Sequence, residues 1–178
     1  MKSFVNRLNR VWLGASGVCC LVLASSPAVL AQDVTAKTLV ESAQIQNLIT
    51  HYYYNFGKAK RENFADFYAE DAELILGSRH FKGRDGVAKA YSRGNGGGDR
   101  PRPYSFNVTI GNPLIIVHGN TASAQLIYTE YLIDKEGDAP RVRSQGREYA
   151  TFVKVKGKWL YKTREIKGGT EPPEGWKE

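Results

Sequence analysis

Two hydrophobic rhythms divide this chain, and the point where one replaces the other limits the folds open to it. Leu39, Ala43, Ile45, Leu48, Ile49, Tyr52, Tyr53 and Phe56 recur at helical spacing. They predict a first helix that opens near Thr35 or Thr38, carries one apolar face and stops at Gly57. From Tyr104 onward the spacing shortens to two, as in strands whose side chains point alternately to either face. Four strands are expected over residues 104–117, 121–134, 141–156 and 158–167. They turn at His118-Gly119-Asn120, Glu136-Gly137-Asp138 and Lys156-Gly157-Lys158. The stretch between reads as a helix at 62–69, a strand pair at 73–77 and 79–83 turning on Gly77-Ser78, and a short helix at 87–91. Helices first and hairpins later point to an α+β fold.

The first 31 residues read as an export signal. Lys2, Arg7 and Arg10 precede an apolar run at 11–23, and Val29-Leu30-Ala31 supplies small-residue cleavage chemistry. Gly14, Ser16 and Gly17 interrupt that run, which falls short of the roughly 20 apolar residues that span a bilayer. The expected mature protein is therefore periplasmic or secreted, with no membrane partner after cleavage. Both cysteines, Cys19 and Cys20, go with the leader, leaving neither a disulfide nor a thiolate metal site. The net charge of +7 loses three basic residues and no acidic one, giving +4. The basic residues are scattered, so no nucleic-acid partner is expected. What remains suits one domain at 32–167, followed by an irregular tail at 168–178.

Several motifs occur together in one order. They are Phe67-Tyr68-Ala69-Glu70-Asp71-Ala72, then Phe81-Lys82-Gly83-Arg84-Asp85-Gly86-Val87, Asn107, and Gly119-Asn120-Thr121-Ala122. Gly146 and Phe152-Val153-Lys154-Val155-Lys156-Gly157-Lys158-Trp159 follow, with Arg164 closing the set. In this order the chain resembles the SnoaL-like, nuclear transport factor 2-like family. That resemblance implies a cone-shaped α+β barrel, a curved antiparallel sheet wrapped around helices with an internal cavity, and a homo-oligomer. It also implies chemistry by whichever polar side chains point inward. The chain departs from the dehydratases and isomerases of the family at three places. Gly57-Lys58-Ala59-Lys60 stands where many relatives carry an aspartate, Tyr104 replaces a histidine three residues before Asn107, and Glu148 stands near a strand tyrosine.

General acid–base chemistry needs a group that moves a proton near neutral pH and a donor or cation to steady developing negative charge. The catalytic candidates are His80, Glu148 and Tyr104. Arg79, Lys60, Tyr53, Tyr54, Asn107, Tyr128 and Arg164 are the substrate-binding ones. His80 is read as bordering the cavity, with a surface imidazole as the alternative. His118 falls in a turn and reads as exposed. Alternation splits the third long strand into one set with Arg143, Gln145, Arg147 and Tyr149 and another with Gly146, Glu148, Ala150 and Phe152; the family resemblance turns the second set inward. Glu148 then either carries protons in an apolar setting or pairs with Lys162 or Arg164 on the next strand. The same choice applies to Glu130. A buried Glu148 requires a cation from Arg79, Lys60 or Arg164 beside it.

No metal site is expected, because the three histidines lack ligand spacing. No cofactor is expected either: the glycine-rich segment 94–98 lacks the ending of a phosphate loop and reads as a lid, a subunit contact or a linker. Two functions stay open. One is a cofactor-independent lyase, dehydratase or isomerase acting on a small apolar, aromatic, hydroxylated molecule. The resemblance extends that reading to relatives of diarylpropane lyases. The other is a non-catalytic pocket protein that binds a small ligand or assembles with a partner.

Overall fold

The computed structural model describes residues 34–54, 56, 64–92 and 104–176. The expected leader, Lys60 and the glycine-rich segment 94–98 lie outside the described residues. The elements run α1 (Ala36–Tyr54), a single 3₁₀ turn (Phe64–Phe67), β1 (Tyr68–Leu76), β2 (Arg79–Lys82), α2 (Gly83–Tyr91), β3 (Ser105–His118), β4 (Thr121–Ile133), β5 (Arg141–Val155) and β6 (Lys158–Lys167). The helix expected at 62–69 is replaced by that 3₁₀ turn, and Tyr68 and Ala69 already belong to β1. Phe64, Phe67 and Tyr68 mimic helical spacing, yet what fixes them is packing around the ring of Tyr52.

The six strands form one curved, unclosed sheet in the order β2-β1-β6-β5-β4-β3. The fold is the α+β arrangement expected, with one difference: β1 runs parallel to β6, so the sheet is mixed. This follows from connectivity. β1 reaches β6 by way of the whole intervening chain, whereas β3, β4, β5 and β6 follow one another through short turns. The β5–β6 turn places Lys156 at φ 48° and Gly157 at φ 81°, the pair of positive values that a tight hairpin with the natural strand twist demands.

Arg143 is an extra residue on β5 opposite Glu130 and Tyr131, and three other irregularities curve the sheet and re-aim side chains. β3 is broken at Gly111-Asn112-Pro113, where Asn112 takes φ 48° and the register with β4 shifts. On β6, Tyr161 pairs with Phe152 while Thr163 pairs with Thr151, which inserts Lys162 as an extra residue. A third shift separates Tyr68 from Glu73 on β1. Each bulge bends its strand and changes which residue faces the helices.

α1 lies across the inner face, burying Ile45, Ile49, Tyr52 and Tyr53. These join Tyr68, Leu74, Val87, Leu126, Ala150, Phe152, Trp159 and Tyr161 in a single core. Small residues on β4 and β5 (Ala122, Ala124, Ala150) leave room for the large rings opposite. The helix is fastened at one end by Glu41, whose carboxylate accepts hydrogen bonds from Lys154 Nζ at 2.7 Å and Trp159 Nε1 at 2.7 Å. On the outer face, residues 168–176 fold back irregularly. There Trp176 packs edge-on to Tyr149, whose hydroxyl donates to the Thr170 carbonyl at 3.1 Å.

Candidate functional site

The inner face of β5 carries Gly146, Glu148, Ala150 and Phe152, all buried, as the second alternation set required. Glu148 is fully enclosed, and Arg164 on β6 is 3 % exposed. Strict alternation from Tyr161 would send Arg164 outward, but the extra Lys162 reverses the facing after Tyr161, so both point inward. The expected cation beside Glu148 is therefore Arg164. Its Nε donates to Glu148 Oε2 at 2.8 Å, and Nη2 lies 2.7 Å from the same oxygen.

Phenols complete the cluster. Tyr53 on α1 donates its hydroxyl to Glu148 Oε2 and accepts from Arg164 Nη2 at 2.6 Å. Tyr161 donates to Glu148 Oε1 at 3.3 Å. Arg164 Nη1 donates to the hydroxyls of Tyr52 and Tyr91, each at 3.1 Å; these two also bond to one another, and Tyr68 donates to Tyr52 at 3.5 Å. The guanidinium also sits over the Tyr52 ring, 4.6 Å from its centre. Arg164 donates four hydrogen bonds and pairs with Glu148, and both Glu148 oxygens accept. Such saturation is what permits an ion pair in a dry interior, where a half-satisfied one would be costly.

Burial drives the titration behaviour. It holds the hydroxyls of Tyr52, Tyr53, Tyr68 and Tyr161 well above the ordinary phenol value, and the Arg164 charge counteracts this only in part. Burial works against the Arg164 charge, but the Glu148 carboxylate and the surrounding phenol oxygens keep it well above its ordinary value. At neutral pH the cluster thus holds neutral phenols, which donate hydrogen bonds or protons, around a fixed cation.

Five sequence candidates stand apart from this cluster. His80 is on the short edge strand β2, its side chain 52 % exposed and its Nδ1 2.9 Å from Glu73 Oε1. Arg79, also exposed on β2, lies over the Phe81 ring. Because β2 is an outermost strand joined to the sheet through β1 alone, neither residue approaches Glu148. Tyr104 is 61 % exposed, with its hydroxyl 3.4 Å from Glu136 Oε1. Asn107 is exposed and bonds to Ser105; it opposes Tyr131 on the outer face. Tyr54 is 70 % exposed, since one helical step beyond Tyr53 turns the side chain off the buried stripe. His118 is exposed, as read. Of the sequence-named set, the structure brings together Glu148, Tyr53 and Arg164, with Tyr128 nearby on the same face.

Tyr52, Tyr68, Tyr91 and Tyr161 were not singled out from the sequence. Their signal was the tyrosine-rich composition, which reads equally well as packing. A shallow depression of about 230 Å³ is lined by Gln44, Asn47, Leu48, Gly157, Lys158 and Trp159. It shares no residue with the Glu148 cluster. Among the described residues no group of three His, Cys, Asp or Glu side chains is placed to hold a metal ion, and no helix is long and apolar enough to cross a membrane.

Residues 37–165 match the model of the SnoaL-like domain. The chain belongs to the SnoaL-like domain family. Among solved structures, it resembles a candidate scytalone dehydratase from Novosphingobium aromaticivorans, at 22 % identity and TM-score 0.61, over 82 % of this chain and 100 % of that one. An NTF2-like protein with a cystatin-like fold from the same organism gives 21 % and 0.57, over 73 % and 82 % of the two chains. A candidate aromatic ring hydroxylase from that organism gives 16 % and 0.58, over 75 % and 92 %. At such identities the likeness carries the fold alone. No curated protein matches.

Proposed function

We propose that this SnoaL-like protein is a cofactor-independent enzyme of the lyase or dehydratase type, acting after export on a small, largely apolar and aromatic hydroxylated substrate held against the inner face of the sheet. The observation that carries this reading is the enclosed Glu148–Arg164 pair with Tyr53 bonded to both. Elimination of a hydroxyl needs a proton delivered to the leaving oxygen and a proton removed elsewhere. In this proposal, Tyr91 protonates the leaving hydroxyl, which departs as water, while Tyr53 takes the substrate's proton and passes its own to Glu148. Arg164 steadies the phenolate left on Tyr91 and keeps the phenols aimed. Two structural neighbours bear names tied to aromatic chemistry, a dehydratase and a ring hydroxylase, which agrees with an aromatic substrate. Loss of formaldehyde as well as water, as in diarylpropane lyases, is the finer form of the same proposal.

A second reading has its own support: Glu148 and Arg164 are bonded to each other and to the surrounding tyrosines, which suits a rigid polar core in a ligand-binding protein that performs no chemistry. Turnover of phenolic diols and hydroxylated aromatic ketones by residues 32–178, after chelation, separates the two. Under the catalytic proposal, Glu148→Gln and Tyr53→Phe each lower kcat about 100-fold or more, and His80→Ala leaves it unchanged. Equal rates in all three variants overturn the proposed roles. Tight binding without turnover establishes the second reading.

A further inference from the structure

The inner face carries a second polar station that the Glu148 cluster does not include. β4 pairs Leu126 with Glu148, Tyr128 with Gly146 and Glu130 with Ser144. Paired residues share a face, so Tyr128 and Glu130 continue the inward row beyond Glu148. A Cβ on Gly146 would lie 2.6 Å from the Tyr128 hydroxyl and 2.3 Å from the Lys167 carbonyl oxygen, so the missing side chain is what admits the Tyr128 ring. Burial is graded along this row. Leu126 is 1 % exposed, whereas Tyr128 and Glu130 are half-buried, as are Phe56 and Phe106 nearby. Phe56 and Phe106 pack with ring centres 5.6 Å apart, and Arg143 lies over Phe106.

The two polar groups here are incompletely used, unlike those at Glu148. Ser144 donates to Glu130 Oε2 at 2.5 Å, and Arg143 Nη1 is 3.6 Å from that same oxygen. Among the described residues neither Glu130 Oε1 nor the Tyr128 hydroxyl makes a hydrogen bond. Burial and then the adjacent Glu130 carboxylate raise the Tyr128 phenol, keeping it a neutral donor. A carboxylate oxygen accepts only, while a phenol can donate. The complement to that pair is a group that donates once and accepts once, a hydroxyl. An anion would meet the Glu130 carboxylate directly, with the Arg143 guanidinium already paired to Glu130 and the Arg164 charge committed to Glu148.

We propose that Tyr128 and Glu130 form a subsite for the hydroxyl of an uncharged aromatic alcohol, whose ring rests on Phe56 and Phe106. This deepens the proposed function and rests on its small hydroxylated substrate. Calorimetric titration of residues 32–178 with 4-methoxybenzyl alcohol, 4-methoxybenzoate and 4-methoxytoluene tests it without requiring turnover. The wild-type protein should bind the alcohol at least tenfold more tightly than either analogue. Glu130→Leu and Tyr128→Phe should each weaken the alcohol about tenfold and leave the toluene unchanged. Preference for the benzoate, absence of alcohol binding, or unaltered affinity in both variants overturns the subsite. The wild-type ranking decides the matter even where a variant fails to fold. Alcohol binding of this pattern without turnover sinks the catalytic proposal and spares the subsite. Turnover with no alcohol preference does the reverse.

Discussion

Arg164 shows how far one side chain can commit a fold. It bonds to Glu148, Tyr53, Tyr52 and Tyr91 at once, so Arg164→Met strands a carboxylate and several phenols in a dry interior. The expected cost is about 3–5 kcal/mol, read from urea unfolding of the wild type and the variant; a loss below 1 kcal/mol would mean that water reaches the cluster. Gly146→Ala should cost about 1–3 kcal/mol by the same measurement, because the Lys167 carbonyl that meets the new methyl is backbone and cannot swing aside. At this scale the sequence was partly readable. Alternation on β5, with the family resemblance, turned Glu148 inward, and burial cost then demanded a cation. Which cation it was depended on a bulge at Lys162, and a bulge has no strong signature in the residues around it. A titratable type in a suggestive neighbourhood says nothing about strand order, and strand order puts His80 on β2 at one rim and Tyr104 just before β3 at the other.

Among elements, α1 is tied to the β5–β6 hairpin near its start by a polar fastening separate from the Tyr52 and Tyr53 bonds. Glu41 accepts from Lys154 and Trp159, and the Lys154 bond, then the Trp159 bond, hold its carboxyl below the ordinary 4.5. A lowered value in the folded state means the contribution is fully present above pH 4.5 and fades as pH falls through the lowered value. Glu41→Gln should therefore lower thermal stability at pH 7 and make progressively less difference under acid conditions. A pH-independent gap between wild type and variant would assign the loss to packing instead. The long strands and their turns were legible, since period-two spacing and Lys156-Gly157 both express local backbone preferences. The 3₁₀ turn at Phe64–Phe67 was not. Its aromatic residues are placed by contacts with α1, far away in sequence, and they imitate helical spacing by coincidence.

For the molecule as a whole, the burial of Tyr52, Tyr53, Tyr68 and Tyr161 sets an upper pH limit. Their folded values stand well above the ordinary 10.0. Stability from keeping them neutral is complete below pH 10 and is lost as pH rises through those values. Of the ten tyrosines, these four should ionise together with global unfolding. Absorbance at the tyrosinate band, followed alongside circular dichroism, checks this; gradual ionisation of all ten before unfolding would contradict it. The interruption of β3 at Asn112-Pro113 has a different reach. β3 is the outermost strand beyond β4 and, at 14 residues, a long one, so a straight version would offer a continuous ladder of free amides and carbonyls to any stray strand. Proline removes one amide, and the bend throws the rest out of line. The same kink that curves the sheet thus guards the molecule against fibrillar self-recruitment.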